Sequence, residues 1–266
     1  MFTFVRFSLL FLAILMCINL CALAVGSHFP WFTFAHILLA DSTMITAYCL
    51  FLFALAFFPC TNFYLPVICH GQTDKPVVAI TFDDGPDTVK TPVILDILQK
   101  HDAQATFFCI GMNLARNEHI LKRIFAEGHL IGNHSYSHSN WLDLFSSAKI
   151  RAELLKTDQL ICEIIGKRPL FFRPPFGVVN PTMNRAVNMM HWQTVCWSIR
   201  SFDTSAGNPE KKIERILKQL KPGAIILLHD FTPFTEIHLA RLITGIREAG
   251  YTIVALDKLL GLNPYA

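Results

Sequence analysis

The chain has 266 residues, 52% of them apolar, with a mean hydropathy of +0.40 and a formal charge of only +3. That length suits one large α/β domain with a small appendage, and the apolar excess is high for a chain that meets only water. The charge is not gathered into any Lys/Arg run, so the basic footprint of a nucleic-acid binder is missing and nucleic acid is not an expected partner.

Charge is partitioned along the chain. There are 23 Lys and Arg and 20 Asp and Glu residues, yet only Arg6 and Asp41 precede Asp74. This predicts an apolar membrane region over residues 1–70 and a folded catalytic domain over 74–266, with the boundary near Gly71 to Lys75. Phe7 to Val25 is an uncharged run long enough to cross a bilayer core, and Trp31 to Ala40 with Met44 to Pro59 makes a second. Two transmembrane helices in contact with membrane lipid are the simplest reading. A signal peptide ending at Ala22-Leu23-Ala24 competes with it. Arg6 precedes the first span, Lys75 follows the second, and no Lys or Arg lies between, so the positive-inside bias puts the domain on the cytoplasmic side. The eight cysteines show no metal-type CxxC spacing. Cys109, Cys162 and Cys196 stand at apolar positions and read as buried thiols, whereas Cys60 and Cys69 can pair if they face an oxidising compartment.

From Val77 onward, short apolar runs alternate with helical stretches, the pattern of parallel strands joined by helices. Strands are expected at Val77 to Phe82, Ala105 to Ile110, Leu130 to Asn133, Leu170 to Phe172, Gln193 to Ser198, Ala224 to Leu228 and Tyr251 to Ala255. Thr91-Pro92, Asn180-Pro181 and Asn208-Pro209 each put a side-chain acceptor before a proline, the signature of an N-cap with Pro at the first helical position. Roughly seven β/α units result. A distorted (β/α) barrel is favoured over an open sheet, because the polar residues below all sit at strand ends, where barrel active sites form.

The first such end carries two adjacent carboxylates, Asp83 and Asp84, followed by Gly85-Pro86. A buried pair needs a cation or a shared proton, although an exposed turn is an alternative for this motif taken alone. His134-Ser135-Tyr136-Ser137-His138 follows the third strand, and its i, i+4 spacing puts two imidazoles on one face of a helical turn, able to grip one ion. Two imidazoles and a carboxylate leave coordination positions open, the arrangement of a catalytic rather than a structural site. Arg173 before Pro174-Pro175-Phe176-Gly177, Asp203, and His229-Asp230 bring further polar groups to later strand ends. His101, His119, His129, His191 and His238 read as structural. Trp141 is placed either to stack on a sugar ring or to sit as an ordinary rim aromatic.

Thr81 to Pro86, His134 to His138, Arg173 to Gly177 and Leu227-Leu228-His229-Asp230, in this order, resemble the polysaccharide deacetylase family, also called the NodB homology domain or carbohydrate esterase family 4. The resemblance covers Val77 to Leu259. It implies a distorted barrel that hydrolyses N-acetyl groups from N-acetylglucosamine-type units of a glycan, whether peptidoglycan, a chitin-like oligomer or a lipid-linked saccharide. It implies Asp84, His134 and His138 as ligands of a divalent metal ion, most often zinc, with Asp83 as general base and Arg173 holding that base. It further implies the Phe176 N–H in the oxyanion hole, His229 as general acid tuned by Asp203, and Leu227 lining the acetyl pocket. Many members read Asp-x-x-Asp-Trp at the fourth motif, where this chain has Arg200-Ser201-Phe202-Asp203-Thr204, so a cation replaces the first acid and the aromatic is lost. The competing functions are a deformylase acting on a lipid-linked amino sugar and a non-catalytic glycan-binding membrane protein.

Overall fold

The computed structural model describes residues 2–26 and 34–266. Trp31 to Thr33, at the head of the second expected span, lie outside the described residues. Two helices come first, α1 (Phe2–Gly26) and α2 (Phe34–Ala56). Each is long and apolar enough to cross a membrane, and only 0% and 6% of their most apolar windows are buried, so neither is packed inside the α/β region. Asp41 lies within α2. Its Oδ1 accepts a 2.9 Å hydrogen bond from Asn19 Nδ2, so α1 satisfies the carboxylate and α2 runs through it unbroken. The Tyr48 O–H donates to Ser8 Oγ at 2.6 Å, and the Phe11 ring stacks on Tyr48 at 4.0 Å.

The α/β region consists of β1 (Val77–Asp83), α3 (Lys90–Lys100), β2 (Ala105–Cys109), α4 (Gly111–Leu114), α5 (Glu118–Ala126), β3 (Leu130–Asn133), α6 (Ser147–Ile165) and β4 (Phe171–Phe172), followed by α7 (Pro181–Asn188), β5 (Gln193–Thr194), β6 (Ile199–Arg200), α8 (Pro209–Lys218), β7 (Ile225–His229), α9 (Pro233–Glu248), β8 (Thr252–Ile253) and α10 (Leu256–Leu260). All ladders are parallel, in the order β5-β4-β3-β2-β1-β7-β6, with β8 added to the start of β1. This is a partly closed (β/α) barrel. Side chains alternate across it: Val78, Ile80 and Phe82 of β1 pack with Ile226 and Leu228 against Ile94, Leu98, Leu242 and Ile246 of the helices. Ala79 joins the other cluster with Phe108, Phe171, Val195 and Ile225. Thr81 and Asp83 share that second face, where they pair with Leu227 and His229.

Of the expected strand Gln193 to Ser198 only Gln193–Thr194 is strand, and a second short strand follows at Ile199–Arg200, because one extended segment serves two neighbours. Val195 N–H bonds Phe172 O at 2.8 Å on the β4 side, and Ser198 N–H bonds Ile225 O at 3.1 Å on the β7 side. The segment therefore bridges the two edges of the sheet. Asn180 and Asn208 cap α7 and α8 as expected. Thr91 does not cap α3: Asp87 Oδ1 accepts from the N–H groups of Val89 and Lys90 at 2.9 and 2.7 Å, and Thr91 turns its hydroxyl to Asp230. Cys60 and Cys69 form a disulfide with Cα atoms 5.8 Å apart. Cys109 and Cys196 are buried, but Cys162 is exposed, on the solvent face of α6.

Candidate active site

Five strand ends deliver the polar groups. Asp83 is the last residue of β1 and turns inward by the strand's alternation, while Asp84 leaves the strand at φ 74°, a left-handed conformation that aspartate tolerates. The Asp84 carbonyl accepts 2.8 Å from Asn113 Nδ2, which holds the turn. Gly85 is obligatory here, since a Cβ would lie 1.9 Å from Asp230 Oδ2.

His134 and His138 do not lie on a helical turn as their spacing suggested. The segment is an irregular loop with positive φ at Ser135 and His138, 64° and 48°. It nevertheless brings both Nε2 atoms to Asp84 Oδ1, at 3.3 Å for His134 and 3.1 Å for His138. His134 Nδ1–H donates to the Arg173 carbonyl at 2.8 Å, which orients the ring so that Nε2 is the nitrogen facing the carboxylate. Asp84 Oδ1 is buried and has no hydrogen-bond donor. One donor atom from each of the three residues lies within 4.8 Å of the others. A buried acceptor without a donor, faced by two imidazole nitrogens, fits a divalent cation. Burial alone would raise the Asp84 carboxyl, but the neighbouring imidazoles hold it down at about 2. Burial pushes the His138 imidazole down and His134 adds to the effect, favouring the neutral form that binds metal.

Arg173 is 0% exposed. Its Nη1 donates to Asp83 Oδ1 at 2.7 Å and Thr81 Oγ1 at 2.8 Å, Nε to Val195 O at 3.1 Å, and Nη2 to Cys196 O at 2.9 Å. Across the site, His229 Nδ1–H donates to Asp203 Oδ1 at 2.8 Å, and its Nε2 lies 3.9 Å from Asp84 Oδ2. Asp203 also receives the His229 backbone N–H at 2.7 Å and the Ser201 and Thr235 hydroxyls at 2.8 and 3.1 Å. Burial would depress the His229 imidazole, but its bond to the Asp203 carboxylate outweighs this and raises it.

Phe176 adopts φ 58°, and its ring edges onto His138 with centroids 4.7 Å apart. Leu227 is buried on the same strand face as His229. Trp141 is 67% exposed in the loop after the two histidines, and among the described residues no ring contact ties it to the site. Sequence reasoning passed over Thr81, Thr235 and Asn113. Thr81 was legible, since strand alternation puts it on the same face as Asp83; the other two are brought in by folding alone. It also left Asp230 without a role: burial pushes this carboxyl up to about 7, against the pull of the Thr91 hydroxyl at 2.6 Å. His129 is structural, its Nδ1 accepting from the Ala105 N–H at 3.2 Å.

Comparison with known proteins meets this geometry. The family pattern described as polysaccharide deacetylase matches residues 70–195. A peptidoglycan-N-acetylglucosamine deacetylase of Bacillus cereus is 35% identical over 192 residues, which are 70% of this chain and 89% of that protein. The chain belongs to the polysaccharide deacetylase family. Another member, the peptidoglycan-N-acetylmuramic acid deacetylase PdaA of Bacillus subtilis, is 34% identical over 71% of this chain and 73% of its own length. The crystal structure of a peptidoglycan N-acetylglucosamine deacetylase superposes with a TM-score of 0.72 at 32% identity, covering 75% of this chain and 95% of that one. The partly closed parallel barrel is thus the fold of this deacetylase family.

Proposed function

We propose that this protein is a membrane-anchored, metal-dependent hydrolase that removes N-acetyl groups from N-acetylglucosamine-type units of a glycan. The observation that carries the reading is Asp84 Oδ1, buried without a donor and faced by His134 and His138 at 3.3 and 3.1 Å. In this reading these three residues hold the ion, and zinc suits a set of two imidazoles and one carboxylate. A divalent ion bound there supplies Lewis acidity, which polarises an amide carbonyl and brings the ionisation of water toward ~7.

The remaining roles belong to the chain. Asp83, held by Arg173, takes the proton of the attacking water. His229, kept protonated by Asp203, returns a proton to the departing amine, so that acetate and a free amino sugar leave. The Phe176 N–H stabilises the oxyanion, a contribution typically worth ~10²- to 10³-fold, and Leu227 lines the wall beside the acetyl methyl. Trp141 offers its exposed ring to a neighbouring sugar. Residues 1–70 act as the anchor and 74–266 as the catalytic domain. The Cys60–Cys69 disulfide favours an oxidising compartment, so we place the domain outside the cytoplasm, against the orientation suggested by Arg6 and Lys75 alone.

The test is acetate and formate release by the purified full chain from N-acetylglucosamine oligomers and peptidoglycan, with and without chelator. Acetate release that stops with chelator and returns with zinc is expected; none from a metal-loaded sample would refute the reading. Asp83→Asn is expected to abolish turnover with metal content near wild type, whereas His134→Ala depletes the metal. Equal metal loss in both variants would overturn the division of roles.

A further inference from the structure

The catalytic face abuts the end of the apolar hairpin. The Ala56 carbonyl, at the last residue of α2, accepts a 3.0 Å hydrogen bond from the N–H of Val179, in the loop that carries Phe176. Tyr64 O–H donates to Leu52 O of α2 at 2.7 Å, and the Phe4 ring of α1 packs on Phe63 and Tyr64 at 6.1 and 5.5 Å. The hairpin is therefore bonded directly to the loop beside the metal ligands.

Two depressions flank Phe176. One, of about 400 Å³, is lined by Phe57, Asn140, Pro175 and Phe176 among others. The second, of about 460 Å³, is lined by Phe57, Phe58, Phe176, Gly177, Trp197 and Arg200 among others. Phe57 and Phe58, just past the end of α2, line these depressions together with Phe176, and the Phe176 ring meets His138.

The lining of these depressions is chemically mixed. Phe57 and Phe58 are 52% and 61% exposed at the end of a span, where aromatic rings settle at the boundary between hydrocarbon and headgroups. Arg200 is exposed, lies over the Phe202 ring at 5.1 Å, and meets no carboxylate at ion-pair distance among the described residues. It is the residue at which this chain departs from the family by putting a cation where many members have an acid. A polymeric glycan strand presents neither an isoprenoid to the aromatics nor a phosphate to the guanidinium. A 2-acetamido sugar linked through its anomeric carbon to an isoprenoid diphosphate presents both. The anomeric carbon is bonded to the carbon that bears the acetamido group, so the phosphate stands beside the reacting amide, and Arg200 pairs in register with Leu227, two residues before His229.

We propose that the substrate is a lipid-linked amino sugar: Arg200 takes the diphosphate, Phe57 and Phe58 take the first isoprene units, and the rest of the lipid stays in the bilayer. This rests on the deacetylase reading above and narrows it. The test uses the full chain in one detergent, loaded with zinc, and two ligands that differ only in the lipid. These are N-acetylglucosamine 1-diphosphate and its farnesyl ester, whose chain is short enough to stay in solution.

Inactive Asp83→Asn is expected to bind the farnesyl ester at least ~10-fold more tightly than the free diphosphate, since covering even a few methylenes suffices for that factor. Wild type is expected to prefer the ester to an N-acetylglucosamine oligomer in kcat/KM. Arg200→Gln and the double variant Phe57→Ser/Phe58→Ser should each reduce that preference at least ~10-fold. Equal binding of the two ligands, or an unchanged preference in both variants, overturns the inference. Oligomer turnover with no preference for the ester overturns it while leaving the deacetylase standing. Absence of acetate from every substrate overturns both.

Discussion

Replacing Arg173 with methionine keeps much of the side-chain volume and removes the charge. The wild-type guanidinium is fully buried and bonds Asp83 Oδ1 at 2.7 Å, Thr81 Oγ1 at 2.8 Å, Val195 O at 3.1 Å and Cys196 O at 2.9 Å. Breaking a buried pair by deleting one partner costs ~3–5 kcal/mol, because the remaining charge is left uncompensated. The stranded carbonyls add to this, but not additively, so ~4 kcal/mol is expected in total. For a domain of this size that lowers the melting midpoint by ~8–16 °C. The assay is thermal unfolding of the full chain in one detergent, followed by tryptophan fluorescence. Arg173→Met/Asp83→Asn separates the cause: neutralising the abandoned carboxylate should recover about half of the loss. A midpoint for Arg173→Met within ~2 °C of wild type, or a double variant no more stable than the single one, would refute the reasoning.

Asp203→Asn removes the charge that outweighs burial at His229, so the imidazole should fall below its ordinary value. His229 must carry a proton to serve as acid, hence the alkaline limb of kcat/KM moves to lower pH; an unmoved limb refutes the pairing. The same pair stabilises the fold fully below the ordinary imidazole value of ~6.5, and that stability fades as pH rises through the raised native value. Gly85→Ala drives a Cβ into Asp230 Oδ2, which Thr91 holds at 2.6 Å, so the Asp83-Asp84 turn must shift. We expect ~1–3 kcal/mol of destabilisation with a fall of at least tenfold in kcat. Wild-type values for both would show that the turn yields without disturbing the site.

Much of the site was legible because polar groups that follow short apolar runs mark strand ends, and because their motifs and spacing resemble those of a known family. Asp83, Asp84, His134, His138, Arg173, Asp203 and His229 were all named that way, and they converge. Three readings failed where a non-local partner took over a local preference. Thr91 has the look of an N-cap but spends its hydroxyl on Asp230, 139 residues away. The HxxxH spacing suggests a helical turn, whereas positive φ at Ser135 and His138 makes a loop that still brings both imidazoles to Asp84. The strand at Gln193 is split because it serves β4 with one half and β7 with the other.

Local pattern by itself determined the parallel α/β rhythm, the two long apolar helices, the candidate metal-ligating residues and the caps at Asn180 and Asn208. These depend on neighbours within a few residues, through backbone geometry and amphipathic period. Tertiary structure alone decided that the imidazoles of His134 and His138 meet one oxygen of Asp84, and that the end of α2 is bonded beside Phe176. Those are distances between segments far apart in the chain, set by which strands pair and by the curl of the sheet, and no short window of sequence encodes them.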